Sequence, residues 1–325
     1  MLKSLKDYNQ DEEFDLVLLV KSAQLRQSKK GQHYLALQLG DESCEIRANY
    51  WNCTAEIAEV FRAGTVVQVN GQKEFYQDQL QLKLFSLRSV SPDEQVDLTR
   101  LVARAPAASS AMKDAIEGYV VKITNPVWHQ LVRFLLDKWE APFYDFPAGK
   151  TNHHAIEGGL AFHTLAMLRD AKALAANYEQ VDGPLLYAGC ILHDMGKVLE
   201  FTGPVATQYT VAGNLIGHLV LIDEQIMLAA TKLKLDPESE AVLLLRHMIL
   251  SHHGELEYGS PKRPALLEAE LLHRIDDLDA TVYAVTKALQ ATKPGQFTAA
   301  ISSQAGRRFY RPQHDDRLAQ SSKLY

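Results

Sequence analysis

The dominant hydrophobic period of this chain shifts between its first part and its second, and that shift bounds what it can fold into. Between residues 14 and 90 apolar side chains alternate with polar ones; from 113 onward they return at every third and fourth position. Alternation puts one set of side chains on one face of a strand, whereas a period near ~3.6 puts them on one stripe of a helix. A segment patterned for one does not settle into the other. The chain therefore reads as an α+β multidomain protein, with a strand-built unit followed by an all-α unit.

Strands are expected over 14–26, 33–39, 42–50, 65–75 and 79–90. In the second, Tyr34, Ala36 and Gln38 alternate with Leu35, Leu37 and Leu39, which would face the core. Turns fall at Ser28-Lys29-Lys30-Gly31 and near Gln77-Asp78. Between strands three and four, 55–62 carries Ile57, Val60 and Phe61 at helical spacing, with Thr54 as N-cap and Gly64 beyond its end. The order β-β-β-α-β-β is that of a five-stranded OB-fold barrel; the competing SH3-like barrel usually lacks the helix. Residues 1–90 are thus expected to form an OB-fold nucleic-acid-binding domain. Residues 91–112, with Pro92, Pro106 and Ala107-Ala108-Ser109-Ser110, read as a linker that holds at most a helical turn or two at 97–103. A helical domain over 113–305 follows, with helices expected at 113–124, 127–138, 159–177, 184–192, 215–232, 237–251 and 264–291. Residues 306–325, including Arg307-Arg308-Phe309-Tyr310-Arg311-Pro312, read as an extended tail or a packed arm.

Composition narrows the function classes. A net charge of −6 counts mildly against strong non-specific nucleic-acid binding, though not against a local basic groove. Cys44, Cys53 and Cys190 form no CxxC pair and read as reduced thiols of a cytoplasmic protein. The polar, acidic beginning MLKSLKDYNQDEEF is not expected to be a secretory signal. No apolar run approaches the ~20 residues that span a bilayer, so no membrane association is expected.

Chemistry concentrates in the helical part. His163, His193-Asp194, His218, His252-His253 and Asp276 follow one another in the order H…HD…H…HH…D. Imidazole and carboxylate together suit one or two divalent metals of the Mn, Fe, Co, Ni or Zn kind, and such a site activates water for phosphoester hydrolysis. One site is expected from His163, His193, Asp194 and Asp276, and a second from His218 and His252, with the two oxygens of Asp194 shared between them. Spacing alone does not say which of His252 and His253 faces the metal. A lone histidine is more often an ordinary core or surface residue, and His33, His129, His247, His273 and His314 are read so. Asp279, close to Asp276 on one helix, is expected to orient a histidine or a substrate group. Lys197, just beyond the His-Asp pair, would hold a phosphate or a developing oxyanion unless it is a plain solvated lysine. Lys262 and Arg263 would grip phosphate from a loop, with an ordinary surface loop as the alternative. His153 and His154 would reach the scissile phosphate or merely cap a helix. The glycine pair Gly158-Gly159 at the start of the His163 helix implies a close backbone approach there.

Larger motifs sharpen the reading. His163, His193-Asp194 and Asp276 match the pattern of HD-domain phosphohydrolases. Asn152-His153-His154-Ala155, Gly158-Gly159-Leu160-Ala161-Phe162-His163-Thr164, Leu186-Tyr187-Ala188-Gly189, Gly213-Asn214-Leu215-Ile216-Gly217-His218 and Leu250-Ser251-His252-His253-Gly254 resemble the YhaM family of bacterial 3′–5′ exoribonucleases. The resemblance spans nearly the whole chain in the same domain order. It implies hydrolysis of single-stranded RNA, and as a second substrate single-stranded DNA, from the 3′ end to nucleoside monophosphates. It also implies Mn as the first choice of metal, with Co, Fe, Ni or Mg as alternatives, and a homo-oligomer. The family's metal residues carry over onto His163, His193, Asp194, His218, His252 and Asp276. In the barrel, the substrate-contacting set would be Lys30, Tyr34, Arg47 and Trp51, with Lys21, Arg26, Lys29, Tyr50, Phe75 and Tyr76 as further candidates. Two competing functions are an HD phosphohydrolase of small nucleotides with a regulatory OB domain, and a non-enzymatic nucleic-acid-binding protein.

Overall fold

The computed structural model describes residues 3–77, 79–91, 93–97, 100–150 and 154–315. Asp78, residues 98–99, His153 and the end of the tail beyond 315 lie outside the described residues. The chain divides into two compact units, the first of Met1–Arg104 with Val205–Thr207 and the second of Ala105–Pro204 with Gln208–Tyr325.

The first unit is a closed barrel of β1 (Glu13–Gln27), β2 (His33–Gly40), β3 (Glu45–Trp51), β4 (Val66–Tyr76) and β5 (Gln79–Ser89), in the order β1-β2-β3-β5-β4. The helix α1 (Ala55–Val60) lies between β3 and β4, as an OB-fold requires. Thr54 caps it, accepting a hydrogen bond from Ile57 N. β1 is long enough to serve both its neighbours. Its first half pairs with β4, as in Leu18 with Val67, and its second with β2, as in Leu25 with Leu35. A bulge between Val20 and Ser22 separates the halves and lets the strand bend around the barrel. β3 closes the circuit on β5 in parallel, through Arg47 and Ala48 against Gln81 and Leu82. Leu35, Leu37 and Leu39 point into the barrel with Leu18, Val67, Val69 and Leu82, as their alternation requires.

The second unit is helical: α2 (Ser109–Val120), α3 (Pro126–Lys138), α4 (Glu140–Asp145), α5 (Gly159–Asn177), α6 (Gly183–Leu192), α7 (Lys197–Glu200), α8 (Val211–Leu215), α9 (His218–Lys232), α10 (Glu240–Ser251) and α11 (Leu267–Gln290). α6 lies inside the unit and packs on α3, α5, α10 and α11. Its residues Leu185–Leu192 are buried on every side, so it carries no amphipathic stripe. Asp182 caps its start by accepting from Leu185 N.

Three details differ from the periodicity reading. The segment expected as one helix over 215–232 is two, α8 and α9, because Gly217 takes a left-handed backbone (φ 81°) between them. That break makes His218 the first residue of α9. α2 begins at Ser109, inside the stretch read as a linker, so the helical unit starts earlier than its apolar stripe announces. The short helices α4 and α7 carry too few residues to show a period. The tail folds back as far as it is described. Phe297 bridges Tyr310, Ile301 bridges Arg307, and Arg311 donates to the carbonyls of Leu289, Gln290 and Thr292 at the end of α11.

Candidate metal centre

Five elements deliver the polar residues of this site from inside the helical core. His163 comes from the first turns of α5, and Gly159 explains how the chain reaches it. A Cβ at 159 would lie 2.0 Å from the carbonyl oxygen of His154, so only glycine admits that segment. His193 and Asp194 follow the last turn of α6. Gly196 then allows the start of α9 to close in, since a Cβ there would lie 2.2 Å from the carbonyl oxygen of His218. His252 and His253 sit at the end of α10, and Asp276 and Asp279 on α11.

The histidines share one geometric rule: each Nδ1 faces an oxygen that can only accept. His193 donates to Cys190 O (2.9 Å), His252 to Ile249 O (2.7 Å) and His253 to Tyr258 O (2.8 Å). His218 Nδ1 lies 3.1 Å from Glu200 Oε1, and His163 Nδ1 lies 2.6 Å from Asp279 Oδ2. A carbonyl or carboxylate acceptor puts the ring proton on Nδ1, which turns the Nε2 lone pair of a neutral ring toward the site. The Nε2 atoms of His193, His218 and His252 are buried without a hydrogen-bond partner. A buried unpartnered nitrogen is costly, and several converging on one point are best accounted for by a metal ion.

Asp194 stands at the point of convergence. Its Oδ2 lies 3.3 Å from His193 Nε2 and 3.9 Å from His163 Nε2. Its Oδ1 lies 3.4 Å from His218 Nε2 and 3.8 Å from His252 Nε2. Asp276 Oδ1 stands 3.2 Å from His163 Nε2. Donors bonded at about 2.1 Å to one ion sit about 3 to 3.5 Å apart, so the shorter of these separations already suit shared coordination. Donor atoms of His163, His193 and Asp276 group within 4.8 Å of one another, and so do those of His218, His252 and His253. Both members of the 252–253 pair thus lie in one donor group, where spacing left open which of them faces the site.

The electrostatics suit a cation. Burial works against the charge on Asp194, but Lys197 and His193 outweigh it and hold the carboxyl far below the usual range. Burial likewise opposes Asp276 and Asp279, and hydrogen bonds from histidines hold both down. Burial also lowers His163, but its hydrogen bonds to Asp276 and Asp279 win and raise it to about 10. Burial and neighbouring imidazoles push His252 and His253 down, which leaves them neutral and able to ligate.

The segment 160–281 matches the model of the HD domain. The 3′-5′ exoribonuclease YhaM of Bacillus subtilis (strain 168) is 42% identical over 312 residues, which cover 96% of this chain and 99% of that protein. The chain belongs to the YhaM family. An HD domain implies divalent-metal binding, and the buried imidazole and carboxylate set offers donors for it.

Other candidate residues of this YhaM relative fall in varied places. Lys197 is buried and donates to Asp194 Oδ2 at 2.5 Å, so it is no solvated helix lysine. His154 is fully buried with its Nε2 on Asp279 Oδ2 (2.8 Å), which corrects the expectation that it reaches a scissile phosphate. Arg263 and Lys262 are exposed, and Arg263 is paired with Glu255 at 2.8 Å. In the barrel, Lys30 and Arg47 are exposed, and Trp51 is 49% exposed with its ring 4.9 Å from that of the half-buried Tyr34. Arg47 also borders an open depression with Gln38, Glu45, Gln79 and Leu80. Glu200, which orients His218 through both Nδ1 and the backbone N–H, was missed in the sequence. Its only signal is a glutamate one turn into the short helix that follows the His-Asp pair.

Proposed function

We propose that this protein is a metal-dependent 3′–5′ exoribonuclease that hydrolyses single-stranded RNA to nucleoside monophosphates. The observation that carries it is the ring of inward-facing Nε2 atoms around both oxygens of Asp194, in a chain that belongs to the YhaM family. His163, His193, Asp194 and Asp276 would hold one ion. His218, His252 and His253, with the second oxygen of Asp194, would hold another. Bound there, manganese supplies Lewis acidity, lowering the pKa of water and offsetting phosphoryl charge. The chain's residues do the rest. Asp194 ties the two ligand groups together, and Lys197 places a cation beside it that can meet an incoming phosphate oxygen. Asp276, whose side chain is 20% exposed, would lie on the side from which substrate enters. Core packing of α6 keeps bulk water away from the remaining ligands.

The exposed Trp51, stacked on Tyr34, supports single-strand binding by the barrel, with Lys30 and Arg47 for the phosphates. Single-stranded DNA would bind by the same stacking and serve as a second substrate. Among the described residues no helix is long and apolar enough to cross a membrane, and all three cysteines are free thiols. Both agree with a cytoplasmic enzyme. Assembly into a homo-oligomer also belongs to this reading.

A gel time course tests it. With 5′-labelled single-stranded RNA and Mn²⁺, the parent should give a ladder shortening from the 3′ end. Asp194→Ala should leave the RNA intact. An undegraded band with metal-loaded parent protein would sink the exonuclease reading and direct attention to mononucleotides.

A further inference from the structure

We propose that His154 is a positioning residue of the metal centre: it anchors the Asp279 carboxylate, and Asp279 in turn fixes the ring of His163 and aims its Nε2 at the metal. The proposal rests on the metal-centre reading above.

Three distances carry it. Asp279 Oδ2 receives His163 Nδ1 at 2.6 Å and His154 Nε2 at 2.8 Å, while His163 Nε2 faces Asp276 Oδ1 at 3.2 Å. His163 is thus gripped at both nitrogens by carboxylates one turn apart on α11. The grip on Nδ1 has the length of a charge-assisted hydrogen bond. His154, His163 and Asp279 also form a compact donor group of their own. Their separations are shorter than the about 3 to 3.5 Å expected between donors sharing one ion. Hydrogen-bonded relay, not a further metal site, is what these lengths describe.

The molecule holds His154 firmly for this purpose. Its backbone is left-handed (φ 47°), a conformation that strains a residue with a Cβ. Its carbonyl accepts from Ala148 N at 3.1 Å, and Gly159 makes the room for that carbonyl. Its ring lies 4.3 Å from that of Tyr283, one turn beyond Asp279 on α11, and edge-on to Phe162 at 5.5 Å. Enclosed in this way, at 0% exposure, the imidazole meets no substrate. Its Nε2 donates to Asp279 Oδ2 at 2.8 Å, because a carboxylate oxygen accepts. A charged carboxylate behind a ligating imidazole fixes its tautomer and raises its basicity. The strained His-Gly-Gly approach before α5 thereby gains a purpose at the metal.

Calorimetric titration of the chelator-stripped full chain with Mn²⁺ tests the relay. His154→Phe keeps an aromatic ring and removes the donor. It should weaken metal binding about 10- to 100-fold, and raising Mn²⁺ should recover turnover lost at low Mn²⁺. His154→Gln, whose amide nitrogen reaches the same point, should restore most of the affinity. Parent-like Mn²⁺ affinity in His154→Phe would overturn the relay. A parent protein that binds no Mn²⁺ would overturn the metal-centre reading instead. Should His154→Phe fail to fold, the parent still decides the matter. Long-range ¹⁵N–¹H spectra of the zinc-loaded protein, assigned with His154→Gln, should place the His154 proton on Nε2 and the His163 proton on Nδ1. A His154 proton on Nδ1 would end the proposal.

Discussion

The barrel and the helical unit treat buried polar groups in opposite ways. Among the described residues the barrel buries Asp41 and Lys73, and each is closed off by backbone. Asp41 accepts from the N–H groups of Leu5, Ser43 and Cys44, and Lys73 donates to the carbonyls of Lys6 and Tyr8. The helical unit buries His154, His163, His193, Asp194, Lys197, Glu200, His218, His252 and Asp279 around one point, and leaves imidazole nitrogens unpartnered there. Polar groups that satisfy one another hold a fold together. Polar groups left facing each other across a gap are held apart by the fold, for a ligand. The barrel instead places its unused contact capacity outside, on Trp51, Phe75 and Tyr76, each more than a third exposed. The division we propose is a helical unit that carries the chemistry and a barrel that contacts the strand.

That division can be broken at several points. The largest effect is expected from Asp276→Ala, which removes a carboxylate 3.2 Å from His163 Nε2. Turnover should fall on the order of 10³-fold, the worth of several kcal/mol of metal-assisted stabilisation, while filter binding of RNA persists. Parallel loss of RNA binding would mean that the metal centre also supplies the affinity. Next comes Glu200→Gln, which weakens the orientation of His218. Calorimetry should show metal affinity down by about 10- to 100-fold; an unchanged value would remove His218 from the ligand set. Trp51→Ala should have the smallest effect, about 1–3 kcal/mol per stacked base, appearing as a higher KM for RNA with kcat held. A fall in kcat instead would give the barrel a share in the chemical step.

Much of this was legible before any coordinates. Leu35, Leu37 and Leu39 announced their face by alternation, and Thr54 announced the start of α1 by its capping chemistry. Gly158-Gly159 announced a close approach that Gly159 indeed makes. The His and Asp spacing named a donor set that the fold does gather about one His-Asp pair. What stayed hidden depends on long-range contact. Glu200 looks like any helical glutamate until α9 brings His218 beside it. His154 looks like a phosphate-reaching histidine until α11 presents Asp279 and Tyr283 to its ring. The Glu255 partner of Arg263 was equally invisible in the sequence.

Local chemistry is written in the chain: periodicity, caps, glycines and donor types act over a few residues, so their order alone yields an OB-fold barrel, a helical HD unit and a list of metal donors. Which nitrogen of each imidazole faces inward is another kind of fact. Carbonyls and carboxylates that meet only after the helices pack set each ring by accepting its Nδ1 proton. Packing thus turned a list of candidate ligands into a centre with Asp194 at its middle and His154 behind it.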